Sequence, residues 1–121
     1  MGTPRAPAGL GAAGRRLWRD VLAVYELAPG ELEMLRQAAR AADVITRLDA
    51  ELAHAPGLTT VGSTGQPRSH PLLDSLATQR RVLAECIRSM ALPFPDEERG
   101  RRRTPAAAES ARERWRQRGA G

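Results

Sequence analysis

The chain has 121 residues, 19 basic and 14 acidic side chains and a formal net charge of +5, and every basic side chain is Arg. Without Lys there is no Walker-type phosphate loop, whose Lys reaches the β- and γ-phosphates, and no Schiff-base or Lys general-base chemistry. The single Cys excludes a disulfide framework and any structural zinc site built on two or more thiolates.

Residues 1–9 are mostly Pro, Gly and Ala around Arg5, so the segment 1–11 is expected to be disordered. The spacing of Leu17, Trp18, Val21, Leu22, Val24 and Tyr25 predicts a first helix over about Ala12 to Leu27, with Gly14 weakening its first turn. Ala28-Pro29-Gly30 breaks it. Pro29 also suits the first position of a second helix, where Glu31 and Glu33 complement the positive end of the dipole. Leu32, Leu35, Ala39, Ala42, Ile45, Leu48 and Leu52 step by three or four and carry that helix to about Ala55, roughly 40 Å at 1.5 Å per residue. Arg36, Arg40, Asp43, Arg47 and Glu51 fill its other side, several at i,i+4 spacing with opposite sign.

Between Pro56 and Ser69 the composition changes. Leu58-Thr59-Thr60-Val61 is strand-like, Gly62-Ser63-Thr64-Gly65 is a turn, and Gln66-Pro67-Arg68 resumes an extended path, which reads as a small β-hairpin or ordered loop with Pro67 on an edge. A third helix is predicted from Pro71 to about Ala91, with Leu72, Leu76, Leu83, Ile87 and Met90 on its inner face and Leu73 and Cys86 flanking. It is long enough to pack antiparallel against the second helix. After Leu92-Pro93-Phe94-Pro95, Thr104 reads as an N-cap and Pro105 as the first residue of a tail helix reaching Arg118. So short a helix is marginal alone and is expected to form on binding. The expected architecture is therefore mainly α: a short first helix, a long antiparallel helical hairpin holding a small β-hairpin or ordered loop, and a basic tail. The helical body spans 12–95 and the tail 96–121.

Charge is unevenly placed. Residues 1–14 carry +1, 15–95 carry +1, 96–98 carry −3 and 99–121 carry +6. The basic character thus belongs to the tail, an arm for nucleic acid or another polyanion, or else a solubilising extension. Apolar side chains are mostly small: 21 are Ala and only 29 are larger. That is a thin core for this length and points to burial completed by association. The longest apolar run, Val21 to Tyr25, is far short of the roughly 20 residues that span a bilayer. No targeting segment and no membrane partner are expected, and Cys86 is expected to be a reduced core thiol.

No catalytic constellation emerges. Gly62 to Arg68 lacks the Lys of a phosphate cradle, and Pro67 removes an N–H, so an ordered turn is the expectation. His54 and His70 have no neighbouring second ligand in sequence, and His70 precedes Pro71 as a helix start, so neither metal nor cofactor is expected. Asp43, Asp49 and Glu51 among the arginines of the second helix are expected to form solvated ion pairs. Two basic clusters remain as DNA-binding candidates. One is Arg15, Arg16 and Arg19 around Trp18. The other is Arg99, Arg101, Arg102, Arg103, Arg112, Arg114, Arg116 and Arg118 around Trp115. Arg68 joins them from the loop. Guanidinium forks suit phosphate and an indole stacks on a base or docks on protein, with Ala108 and Ala111 beside Trp115 suiting docking equally.

The order of motifs resembles a known family. Gly9-Leu10-Gly11, Gly14-Arg15-Arg16-Leu17-Trp18-Arg19-Asp20-Val21, Tyr25-Glu26-Leu27 and Glu31-Leu32-Glu33-Met34-Leu35 are similar to the start of terminase small subunits from the DNA-packaging motors of tailed phages. Ala42-Asp43, Gly65, His70-Pro71-Leu72-Leu73, Arg80-Arg81-Val82-Leu83 and Leu92-Pro93 continue the likeness over residues 9–95, and the tail departs from it. The resemblance implies a non-enzymatic subunit in the cytoplasm of an infected cell. It would form a homo-oligomeric ring, bind double-stranded viral DNA and deliver it to the large subunit that holds the ATPase and nuclease. A small DNA-binding regulator and a phage structural or connector protein are the rival classes. The second helix is too long for a helix-turn-helix, and Pro29 stands in its entry turn, which weighs against the regulator.

Overall fold

The computed structural model describes residues 3–62, 64–93, 113 and 116. The chain forms three helices, α1 (Ala12–Val24), α2 (Pro29–Ala53) and α3 (Pro71–Met90), with a two-stranded antiparallel hairpin of β1 (Thr59–Val61) and β2 (Pro67–Ser69) joining α2 to α3. The order and type of elements match the sequence expectation, and the ends differ by one to three residues for local reasons. Tyr25 is extended and Ala28, which precedes Pro29, is extended as well, so α1 stops at Val24. At the other end of the pair, α3 stops at Met90 because Ala91 adopts a left-handed conformation (φ 48°), turning the chain into Leu92.

Capping explains where α2 and α3 start. Pro29 occupies the first turn of α2, and Glu31 turns back so that its Oε1 accepts the Ala28 N–H at 3.0 Å. Glu31 is fully buried there. His70 caps α3, its Nδ1 accepting the Leu72 N–H at 3.1 Å ahead of Pro71. In the hairpin, Thr59, Thr60 and Val61 stand opposite Ser69, Arg68 and Pro67. The Gly65 N–H donates to the Gly62 carbonyl at 2.9 Å with Gly65 at φ +85°, a turn that suits glycine.

α1 has no side-chain cap of its own, since Gly11 precedes it. The cap arrives from α2. Asp43 Oδ2 accepts the Gly11 N–H at 2.7 Å and Oδ1 accepts the Gly14 N–H at 2.7 Å. This differs from the ion pair expected of Asp43, because two amides at the positive end of a helix dipole satisfy a carboxylate better than an exposed arginine does. Asp43→Ala is expected to lower stability by about 0.5–2 kcal/mol, the range for a lost cap, read as a fall in Tm by circular dichroism.

From this joint α1 runs back along α2. Gly14 lies against the Ala39 backbone, while Trp18 and Leu22 reach Leu35 and Met90 to form the main cluster. Ala38, Ala39 and Ala41 are buried beside it. Here Ala is a spacer, letting helices approach closely, and not only a sign of a thin core. The segment expected to be disordered, 1–11, is described from Thr3 on and lies against α1: Leu10 is buried, Ala6 touches the core, and the Pro4 carbonyl accepts the Trp18 indole N–H at 3.1 Å. That interaction between distant groups leaves no periodic signal in the sequence.

The inner face of α3 is unevenly covered. Of the inner stripe expected on α3, Leu76 and Met90 are buried, Leu72 and Leu83 are half-buried, and Ile87 is 46 % exposed. Cys86 is half-buried and not a core thiol; burial, with the nearby Glu85 charge, raises its pKa above the usual thiol value. No helix among the described residues is long and apolar enough to cross a membrane.

Candidate nucleic-acid interface

α1 separates its polar and apolar sides cleanly. Gly14, Trp18 and Leu22 are buried, whereas Arg15, Arg16 and Arg19 are exposed. At about 100° per residue these three cations share one side of the helix. They are not equivalent. Arg15 Nη1 donates to the Leu10 carbonyl, which fixes the guanidinium while leaving most of its donors open. Arg19 lies 4.0 Å from the Asp20 carboxylate, both well exposed, so that pairing is weak. Arg16 has no partner among the described residues.

Trp18 is not available to a base. It is 4 % exposed and its indole N–H is committed to Pro4. The aromatic among the arginines is therefore a core anchor, and stacking on nucleic acid is ruled out in this arrangement. The clue in the sequence was its place on the same apolar stripe as Leu22.

Arg68 lies apart from the α1 cluster. It is exposed on β2, and its aliphatic stem crosses Gly62, leaving no room there for a side chain. The hairpin follows the end of α2, ten residues beyond Asp43, so about 15 Å of helix separates Arg68 from the α1 joint. Of the tail cations, Arg116 is described: it is helical, exposed and paired with Glu113 at 2.7 Å. Arg99, Arg101, Arg102, Arg103, Arg112, Arg114 and Arg118, Trp115 and most of the tail helix expected at 105–118 lie outside the described residues.

The structure does place the end of the body as far as Pro93. The Tyr25 hydroxyl donates to the Pro93 carbonyl at 2.7 Å, and Leu92 packs on the core. Pro93 therefore sits beside the residue that ends α1. Arg19 is six residues back along that helix, about 9 Å away in rise. Pro93, the last residue described before the tail, thus lies near the end of the helix that carries Arg15, Arg16 and Arg19.

Three of the acidic residues on α2 are engaged. Asp49 reaches Arg80 on α3 at 3.5 Å, Glu33 holds Arg36 and Gln37, and Asp43 caps α1. Among the described residues no group of three or more His, Cys, Asp or Glu side chains is placed to hold a metal ion. No protein-family model, curated protein or solved structure matches this chain.

Proposed function

We propose that this chain is the non-catalytic small subunit of a viral DNA-packaging terminase, which assembles as a homo-oligomeric ring, binds double-stranded DNA and passes it to an ATPase and nuclease large subunit. The observation that carries the reading is the joint between α1 and α2. Three of the separate sequence pieces that resemble terminase small subunits, around Gly11, Gly14 and Asp43, are bonded to one another there.

Two further features support it. Residues 99–121 carry +6, positive charge suited to a polyanion, and the exposed Arg15, Arg16 and Arg19 add more on the body. The hairpin leaves Val82 and Ile87 on α3 and Leu58 and Val61 near the β-turn exposed, apolar surface that neighbouring copies in a ring would cover.

The test is light scattering on the purified protein, duplex-DNA binding against salt, and ATP hydrolysis by a cognate large subunit. A ring that binds DNA and stimulates DNA-dependent hydrolysis is expected; a monomer with no DNA binding at low salt overturns the proposal. If five to eight tail arginines meet phosphates, they contribute about −4 to −7 to the log–log salt slope. Deleting residues 99–121 is expected to remove that part of the slope. An unchanged slope moves the contact onto Arg15, Arg16, Arg19 or Arg68.

A further inference from the structure

Arg40 and Arg47 are exposed on α2, and neither has an ion-pair partner among the described residues. Asp43 stands three residues after Arg40 and four before Arg47, the spacing at which a carboxylate neutralises arginines on its own helix face. Here its two oxygens are taken by the Gly11 and Gly14 amides of α1 at 2.7 Å each. Its charge also rests on the positive end of the α1 dipole. Both arginines are left uncompensated by it, and Arg47 makes no pair with Glu51 one turn further on. Arg36, in the same row, differs in being held by Glu33.

Position strengthens the point. Arg40 and Arg47 lie about 4.5 and 6 Å along α2 on either side of Asp43, and both within about 60° of it around the helix. The first turn of α1 sits on Asp43 through Gly14 and brings Arg15, the next residue, to the same junction, whereas Arg16 lies about 200° round α1 from Gly14, on its far side. Arg15 is already fixed by the Leu10 carbonyl, so little freedom remains for it to lose on binding. Three guanidinium groups around one helix junction match a run of phosphates, which arginine binds through paired N–H donors.

We infer that Arg40 and Arg47, with Arg15 where α1 meets α2, bind the phosphate backbone of duplex DNA. This rests on the DNA-binding reading above and adds to it a contact on the folded body, separate from the tail. α3 supplies an internal control. Arg81 and Arg88 flank Glu85 on α3, are exposed and likewise make no ion pair among the described residues, so they control for unpaired charge away from α2.

The experiment measures binding of the full chain to a fluorescein-labelled random-sequence duplex by anisotropy as salt is raised. Arg40→Ala with Arg47→Ala is expected to reduce the salt slope by about two, since each neutralised phosphate contributes about 0.9. Arg81→Ala with Arg88→Ala is expected to reduce it by less than one. Gln at positions 40 and 47 keeps most of the aliphatic stem and supplies the same reading if the Ala pair folds poorly. An unchanged slope for the 40/47 pair, or an equal loss for the 81/88 pair, overturns the inference and leaves DNA binding by the chain intact. Failure of the unmodified chain to bind duplex DNA at low salt overturns the DNA-binding reading and this contact with it.

Discussion

Trp18→Ala is expected to destabilise the body by about 3–5 kcal/mol, the range for removing a buried Trp. The side chain is 4 % exposed and sits in the central cluster with Leu22, Leu35 and Met90. Its loss opens a cavity that three different elements border: α1 carries the residue, α2 supplies Leu35, and the end of α3 supplies Met90. It also orphans the Pro4 carbonyl, which the indole N–H reaches at 3.1 Å. Since domains are stable by about 5–15 kcal/mol in total, this change consumes a large share. Chemical denaturation should show a lower midpoint, and residues 3–10 should become susceptible to proteolysis. Stability within about 1 kcal/mol of the parent would refute the placement of Trp18 as a core anchor. The substitution also discriminates on function: any loss of DNA binding should follow the loss of fold, because the indole is not exposed to stack on a base.

Gly14→Ala is expected to lower stability by about 1–3 kcal/mol, the range for overpacking, although Ala normally gains close to 1 kcal/mol over Gly inside a helix. A Cβ at position 14 would lie 2.6 Å from the Ala39 carbonyl oxygen and 2.6 Å from Asp43 Oδ2. The first is backbone of α2 and has no rotamer to yield. α1 must therefore move away from α2, which pulls the Gly11 and Gly14 amides off Asp43 and loosens Trp18. Ala at an open helical glycine would raise Tm. A rise here, measured by differential scanning calorimetry, would contradict the close approach of the two helices. Gly14→Ala and Asp43→Ala act on one joint, so their effects should combine less than additively.

These two residues mark where sequence reading succeeds and stops. Trp18 is legible as part of a helical apolar stripe, because burial of one face imposes a 3.6-residue period on α1. Gly14 is legible only as a weak point in that helix. Its real role depends on Ala39 and Asp43, 25 and 29 positions further along the chain, and no local rule links them. The same holds for Asp43 itself: surrounded by Arg40 and Arg47 at helical spacing, it looks like half of an ion pair until α1 is brought onto it.

The mainly helical architecture, the breaks at Pro29 and Pro71, the small hairpin after α2 and the concentration of positive charge beyond residue 98 were all determined by the sequence alone. Each follows from a local property: side-chain periodicity, the geometry of proline and glycine, or a count of charges. Tertiary structure decided what no local property carries. It placed residues 3–11 on α1, turned Trp18 inward, gave Asp43 to the amides of another helix and set Pro93 beside Tyr25. It also left Asp43 out of the ion pairs its helix spacing suggests, because a carboxylate pairs with the best donors within reach in space, and those donors were far away in sequence.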